Sequence, residues 1–419
     1  MPITHVNSIA IIGAGHAGAR VAGGLRAAGF SGEISLFGEE AHLPYERPPL
    51  SKGFLCGEVT EADCLLYSLD FYSANRIALN LGSAVTGIDP EAQIVRNERG
   101  ETERYDRLII ATGASARRLQ CDVSDNTGIH YVRTIGDVVR LRGALAPYRR
   151  VLVVGAGLIG LEVAAAAVRL RCSVTVVETS DVPMGRVVPR TIAIEAEKMH
   201  RRHGVEFIYC VQLVSLQRRQ GGYEVRLSDG QKLLSDCIVV GIGAVPNVAL
   251  AEDAGLAVSN GVCVNEFLQT TDEHIFAVGD VCAFPERDQG TSARLESWRN
   301  AEEQAATVVA AIAGEPVPYR PIPWFWSDQF DRTLQVVGQP ARGRRVLQVD
   351  SDNGCVVEAY VDADDRIVGA AGFGALSSLA KEIKIAERLI KSCVRLNDDD
   401  IRAQPLNLRK LFERTRGKN

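Results

Sequence analysis

One motif is written twice in this chain, and the repetition constrains the fold more than any other feature. Gly13-Ala14-Gly15-His16-Ala17-Gly18 and Gly155-Ala156-Gly157-Leu158-Ile159-Gly160 each follow a short apolar strand and each open a helix. In such a strand–turn–helix unit the first glycine makes the tight turn. The second admits a pyrophosphate against the backbone, and the third lets helix pack on strand. An isolated copy reads equally well as glycine turns in an ordinary βαβ unit. A matched pair, each with its own acid downstream, predicts two dinucleotide sites and electrons passing between their occupants.

The context that each copy needs is present. Residues 8–12 read as a buried strand, 17–28 as a helix and 33–37 as a second strand, with Glu39 lying 21 residues beyond Gly18. In the second copy 151–154 is strand, 158–171 helix and 173–177 strand, and Glu178 follows 18 residues after Gly160. An acid at this distance can accept from ribose hydroxyls. Each helix N-terminus supplies N–H groups and a positive dipole end for phosphates. Two more apolar strands end in glycine, at 108–113 (LIIATG, with Ala111) and 238–243 (IVVGIG, with Gly243), and a third, 275–280 (IFAVGD, with Gly279), ends in an acid, Asp280. Taken alone, Asp280 reads as a turn or helix cap.

Composition narrows the class. A chain of 419 residues with 46% hydrophobic and 24% charged residues has room for about three packed domains. The net charge of −5 gives no electrostatic case for nucleic acid. The first apolar run is already the first fingerprint strand, with no basic segment before it, and no run approaches the roughly 18 apolar residues of a membrane span. The expected location is the cytoplasm. Ten cysteines are scattered at 56, 64, 121, 172, 210, 237, 263, 282, 355 and 393, with neither CxxC nor metal-ligand spacing. Residues 17–28 hold no cysteine. The redox dithiol that disulfide reductases carry on that helix is therefore not expected, and no metal site is either. Without that thiol relay, electrons passing through the chain must be handed to something external.

Pro44-Tyr45-Glu46-Arg47-Pro48-Pro49-Leu50-Ser51-Lys52 holds an extended backbone. It would aim Arg47 and Lys52 at a phosphate or a flavin ring, or present them on a surface turn. With this segment the chain resembles the FAD-dependent, NADH-oxidising ferredoxin reductases that serve bacterial oxygenases. The likeness covers almost the whole length. It includes Gly160-Leu161-Glu162, Tyr131-Val132-Arg133-Thr134, Pro246-Asn247, Leu295-Glu296-Ser297-Trp298 and Pro323-Trp324-Phe325-Trp326-Ser327-Asp328-Gln329. Tryptophan after Glu-Ser is similar to the reductases of aromatic-ring dioxygenase systems, whereas several haem monooxygenase reductases have a smaller residue there.

The resemblance implies an α/β fold, glutathione-reductase-like, with two Rossmann-like dinucleotide-binding domains and a C-terminal α+β domain. A discontinuous FAD domain would span residues 1–116 and 247–322, an NAD domain 117–246, and the third domain 323–419. In that third domain 333–337, 345–349, 355–361 and 366–371 read as strands. A final helix would put Leu379, Ile383, Ala386 and Ile390 on one face, and the basic tail 407–419 is expected to fray. The implied FAD contacts are Gly13, Gly15, Ala17, Gly18, Glu39, Arg47, Lys52, Val85 (through backbone), Ala111, Arg133, Gly279, Asp280 and Trp298. The NAD side takes Gly155, Gly157, Ile159, Gly160, Glu162, Glu178, Gly243 and Glu296, with Arg186 the first basic residue after Glu178. A carboxylate at 178 favours NAD over NADP. Lys52 near flavin N5, paired with Glu162, forms the implied catalytic pair.

The implied activity is hydride transfer from NADH to FAD, then release of single electrons to a two-iron two-sulfur ferredoxin, Rieske-type ones included, that feeds an oxygenase. The protein would be a monomer or weak homodimer. The aromatic cluster 324–326 reads either as core or, by the resemblance, as placing Trp326 at the flavin edge beneath the ferredoxin. Arg342, Arg344 and Arg345 read either as cations for an acidic partner or as a solvated turn. The rival readings are an NADH oxidase or peroxidase of the same fold, which needs a cysteine near the flavin, and a redox-sensing flavoprotein like the apoptosis-inducing factors.

Overall fold

The computed structural model describes residues 6–123, 128–286, 291–351 and 354–416. The chain divides into two compact units. The first comprises Met1–Pro48, Thr60–Ser115 and Ala244–Pro321, and the second Pro49–Val59, Ala116–Gly243 and Ile322–Asn419.

The first unit is built on a five-stranded sheet in the order Ile275–Ala277, Arg107–Ile110, Ser8–Ile12, Glu33–Gly38, Ile77–Leu81, with every neighbouring pair parallel. Its central strands run apolar residue after residue because both faces are covered. Ile9, Ile11, Leu36, Leu108, Ile109 and Ile110 are all essentially inaccessible. Helix His16–Ala27 follows the central strand and packs on helix Trp298–Ile312 through small residues. A Cβ at Gly24 would press on Val309. The expected helix 17–28 thus starts one residue earlier, and the expected strand 275–280 stops at Ala277, leaving Asp280 in a single 3-10 turn, Gly279–Val281.

The second unit repeats the pattern. Its parallel sheet runs Ile129–His130, Cys237–Val240, Arg150–Val154, Ser173–Val177, Glu206–Ile208. In both sheets the strand before the glycine loop lies between the strand that follows its helix and a strand that ends in glycine. The chain reverses direction of addition there, which is where open α/β sheets bind ligands. Helix Leu158–Arg169 ends two residues short of the expectation, and Arg171 follows in left-handed conformation (φ +62°). A four-stranded sheet, Lys232–Ser235, Gly222–Leu227, Leu213–Arg219 and Asp122–Val123, also belongs to this unit.

Its C-terminal part is a five-stranded antiparallel sheet, in the order Trp324–Gln329, Arg332–Gly338, Ile367–Gly374, Val356–Val361, Arg345–Gln348. Four of these strands match the expected segments to within a few residues. The fifth, Trp324–Gln329, was expected only as an aromatic cluster. Its W-F-W-S-D-Q sequence runs three aromatic residues into three polar ones and lacks the aliphatic signature of a strand. Helix Leu376–Lys391 covers the sheet with Leu379, Ile383, Ala386 and Leu389. Ile390, expected on that stripe, is partly buried and packs against the same core, while Leu389 widens the buried face to one side.

The expectation of a frayed tail is overturned as far as residue 416. Residues Leu408–Arg416 form a helix whose Leu408 and Leu411 enter the same core, so its basic residues are the outer face of an amphipathic element. Residues 417–419 lie outside the described residues. Replacing Leu411 by Ala should therefore lower the unfolding free energy by about 2–4 kcal/mol, the cost of a core leucine. Urea denaturation measures this, and a change below about 0.5 kcal/mol, as at an exposed site, would mean that the helix does not belong to the core.

Candidate active site

The two glycine loops share one division of labour. Gly13 has φ +118°, where side chains are strained, and a Cβ there would fall on the Ala111 carbonyl. The loop is pinned by Gly13 N–H to the Phe37 carbonyl (2.9 Å) and Ala111 N–H to the Ile12 carbonyl (2.7 Å). A Cβ at Gly18 would strike the Gly13 carbonyl. Gly15 differs, since a Cβ there would meet nothing within 4 Å. The chain's own packing does not require glycine at 15, and the space beside it is open. First-turn N–H groups have no acceptor within the helix and carry its positive end, so an anion such as a pyrophosphate fits.

Around this loop the structure gathers several expected residues of the first unit. Ala17 is buried, and a Cβ on Gly279 (φ +78°) would lie 3.1 Å from its methyl group. Gly279 N–H donates to Gln304 Oε1 at 2.7 Å. The Asp280 carbonyl accepts from Arg294 Nη1 (3.0 Å), and that guanidinium also holds the exposed Glu296 (2.6 Å). Trp298 opens its helix with the ring centroid 5.2 Å from that of His16, and its indole N–H points to Glu46 Oε1 at 3.4 Å. Glu39 is exposed just past Glu33–Gly38, and Val85 is half-buried on strand Val85–Asp89. Arg47 is drawn to Glu40 (3.2 Å) and lies over the Tyr45 ring. Asn247 ties the return of the chain to the 112–115 segment, donating to the Thr112 carbonyl (2.8 Å) and accepting from Ser115 Oγ (2.7 Å).

Gly155 (φ +98°) abuts the Gly241 carbonyl, and a Cβ on Gly160 would strike the Gly155 carbonyl. Gly157 again stands nearly clear, with only the Gly241 oxygen at 3.6 Å from a Cβ. Ile159 is 44% exposed although it is a large aliphatic residue at the helix start. Gly243 (φ +105°) also faces open space, and its carbonyl accepts from Arg117 N–H at 2.9 Å. Arg133 precedes a capping box, its N–H donating to Asp137 Oδ2 (3.2 Å), and Arg186 is exposed. Glu178 has a task the sequence did not disclose. Its Oε2 accepts from Ala156 N–H (2.7 Å) inside the loop, and its Oε1 from Ser180 N–H and Thr179 Oγ1 (both 2.9 Å). Burial pushes this carboxyl up, but the backbone N–H groups outweigh it and hold Glu178 below the usual carboxylate range.

Lys52 caps the short helix Gly53–Cys56, and its Nζ lies 2.9 Å from Glu162 Oε1. Glu162 is only 4% exposed on helix Leu158–Arg169. Both of its oxygens are satisfied. Ser327 Oγ donates to Oε1 at 2.6 Å and Ser51 Oγ donates to Oε2. A buried ion pair so bonded is costly to break, with removal of one partner worth about 3–5 kcal/mol. Ser327 arrives here because strand residues alternate. Trp324 and Trp326 stack on one face of Trp324–Gln329 (centroids 5.0 Å apart), and Ser327 and Gln329 are fully buried on the other. Sequence reasoning named Lys52 and Glu162 but missed Ser51, Ser327 and Gln329. The signal available was the period of two, which sets both polar residues opposite the tryptophans.

Two opposed-glycine cradles in one chain are reflected in its relatives. Residues 7–305 match the family profile described as pyridine nucleotide-disulphide oxidoreductase, and residues 324–412 match one described as reductase C-terminal. The chain belongs to the pyridine nucleotide-disulphide oxidoreductase family. This oxidoreductase is 40% identical to the ferredoxin–NAD(+) reductase component of the p-cumate 2,3-dioxygenase system of Pseudomonas putida, over 92% of this chain and 94% of that one. It is 41% identical to rhodocoxin reductase of Rhodococcus erythropolis, over 86% and 85% of the two chains. The crystal structure of a covalent putidaredoxin reductase–putidaredoxin complex matches with a TM-score of 0.91 at 33% identity, covering 98% of this chain and 99% of that chain. Members of the family use FAD and NAD(H).

The disulphide in the family's name has no counterpart on the first helix of this oxidoreductase, since His16–Ala27 carries no cysteine. Elsewhere burial makes thiolates unfavourable. It raises the thiols of Cys56, Cys64 and Cys172 and pushes Cys237 up to about 12. Thiols held protonated are poor nucleophiles.

His200, fully buried on helix Arg190–Arg202, is held neutral by burial down to about pH 4. The unfolded chain takes up a proton there from about pH 6.5 downward and the folded chain does not. This oxidoreductase should therefore lose stability as pH falls from about 6.5 to about 4, by at most about 3 kcal/mol from this group. Half-buried His130 acts in the same sense, while the depressed carboxylates Glu178, Asp236 and Glu302 contribute only below their ordinary range. Urea midpoints of wild type and His200→Gln across this window check it. The variant should show a shallower slope, and parallel slopes would contradict the assignment.

Proposed function

We propose that this chain is an FAD-dependent ferredoxin–NAD(+) reductase. It draws on NADH and delivers single electrons to a two-iron two-sulfur ferredoxin, Rieske-type ones included, that serves an aromatic-ring dioxygenase. The observation that carries the reading is the pair of loops in which the second glycine, Gly15 or Gly157, is required by no protein neighbour. Two dinucleotides held by one chain are the arrangement that electron transfer between them needs. The dioxygenase-system relative, matched over nearly its full length, supports the acceptor class. On this reading residues 1–116 and 247–322 serve FAD, 117–246 serve NAD and 323–419 form the C-terminal domain, in a cytoplasmic monomer or weak homodimer.

Bound FAD would supply the redox chemistry, accepting a hydride and releasing electrons singly. The chain supplies binding and charge. Gly15 and the N-terminal N–H groups of His16–Ala27 would receive the FAD pyrophosphate, with Glu39 at the adenosine ribose. Ala17, Val85, Ala111, Arg133, Gly279, Asp280 and Trp298 would line the remainder. Gly157, Ile159 and Gly243 would take NADH, with Glu296 toward its carboxamide. Glu178 would accept both ribose hydroxyls with the lone pairs its protein partners leave, and its charge would repel a ribose phosphate. Lys52, kept charged by Glu162, would stabilise negative charge on reduced flavin. Trp326 would lie at the docking site. Arg342 and Arg344 are exposed, while Arg345, on the strand at the opposite edge of the sheet from Trp326, is engaged by Asp365 at 3.0 Å, so cations for an acidic partner would come chiefly from the first two.

The high thiol pKa values weigh against an oxidase or peroxidase, and the charge of −5 against a nucleic-acid-binding flavoprotein. Cytochrome c reduction driven by NADH or NADPH, with and without a two-iron ferredoxin, tests the proposal. NADH should exceed NADPH in kcat/KM by more than about tenfold, about 1.4 kcal/mol, ferredoxin should be required, and Glu178→Ala should narrow the cofactor gap. Equal cofactor use, or a rate indifferent to ferredoxin, would sink it.

A further inference from the structure

The Lys52–Glu162 pair does not end at Ser327. Gln329 Nε2 donates to Ser327 Oγ at 3.1 Å, and Gln329 Oε1 faces His200 Nε2 at 3.0 Å. The directions of these bonds are fixed by elimination. Ser327 gives its only proton to Glu162, so its oxygen must accept from the amide of Gln329. The Gln329 oxygen must then accept, so His200 carries its proton on Nε2. His200 Nδ1 is buried with no hydrogen-bond partner among the described residues, as a bare nitrogen can be at lower cost than a stranded N–H. All of these side chains belong to the second unit, and Glu162, Ser327, Gln329 and His200 are each less than 5% exposed.

We propose that Ser327 and Gln329 are positioning residues for the Lys52–Glu162 pair. They are the inner links of a one-directional hydrogen-bond chain, His200 to Gln329 to Ser327 to Glu162, that holds the carboxylate turned toward Lys52. The inference rests on the reading that Lys52 acts on the flavin. Hydrogen bonds in series polarise one another, so each donor strengthens the next toward the carboxylate. A buried carboxylate with a free torsion could swing away from the lysine. Here Ser51 holds one oxygen and Ser327 the other, and it is the oxygen held by Ser327 that lies 2.9 Å from Lys52 Nζ. Gln329 fixes Ser327 in turn, and Met184 Sδ at 4.0 Å completes the contacts of its amide nitrogen.

The test uses the FAD-loaded full chain and three readouts: FAD midpoint potential by spectroelectrochemistry, flavin reduction by NADH in rapid mixing, and FAD content with melting temperature. Lys52→Met should lower the potential and slow reduction. Ser327→Ala should move both in the same direction, with reduction slowed about tenfold, the size of one lost hydrogen bond to a charged group. Gln329→Leu should have the same sign and a smaller size. Ser327→Thr, which keeps the hydroxyl, should restore the wild-type potential. In a Glu162→Gln background Ser327→Ala should add nothing, because the carboxylate it positions is gone. If Ser327→Ala yields too little folded protein, Ser327→Cys takes its place in the same comparisons. An unchanged potential in the Ser327 and Gln329 variants, with only melting temperature or FAD content altered, overturns the proposal while a shifted Lys52→Met upholds the underlying reading. An unshifted Lys52→Met overturns both.

Discussion

Both parallel sheets depend on one steric fact, that backbone can meet backbone only where there is no Cβ. Gly13 against Ala111, and Gly155 against Gly241, are contacts between the loop leaving the central strand and the end of its neighbour. Nothing larger than hydrogen fits, and the left-handed φ at each first glycine adds a second reason. The third glycine of each loop then brings the helix onto the first. With these two contacts made, the N-terminus of the helix is set at the end of the sheet, and the middle glycine faces outward, with no protein neighbour at Gly15 and only the Gly241 oxygen near Gly157. The cradle is thus a by-product of close packing on either side of it.

Duplication of this unit was legible because the packing constraint is local and written in glycine. So was the run of apolar residues in Ile9–Ile12 and Leu108–Ile110, since a strand covered on both faces has no polar side to confuse the reading. The antiparallel sheet at the C-terminus was legible for its aliphatic strands and not for Trp324–Gln329. Its buried face is serine and glutamine, residue types that burial statistics assign to the surface. The tail misled for the opposite reason. Its arginines and lysines dominate the composition of 407–419, yet two leucines suffice to dock Leu408–Arg416.

Among the candidate site residues the sequence exposed those tied to a motif and hid those tied to a partner. Lys52 and Glu162 stand 110 positions apart, and only a resemblance could join them. Ser51 and Ser327 had no such help, because a hydroxyl carries no signature until its acceptor is located. Glu178 shows a third case. The acid after the strand was expected at a ribose, and the structure gives it the Ala156 amide of the loop itself. That carboxylate shapes the cradle, and on the proposed reading it also meets an adenosine ribose, so its replacement should disturb loop and ligand together.

The central claim is that two separate cradles hold two different dinucleotides, and the middle glycines allow it to be tested one cradle at a time. A Cβ meets nothing at Gly15 and only ordinary van der Waals contact, with the Gly241 oxygen at 3.6 Å, at Gly157, so folding should survive a valine while the ligand's approach is blocked. The measurement is FAD content after purification together with NADH affinity, for Gly15→Val and Gly157→Val. Gly157→Val should retain FAD and bind NADH weakly, and Gly15→Val should be purified without flavin. Loss of FAD from Gly157→Val, or NADH affinity unchanged by it, would contradict the account.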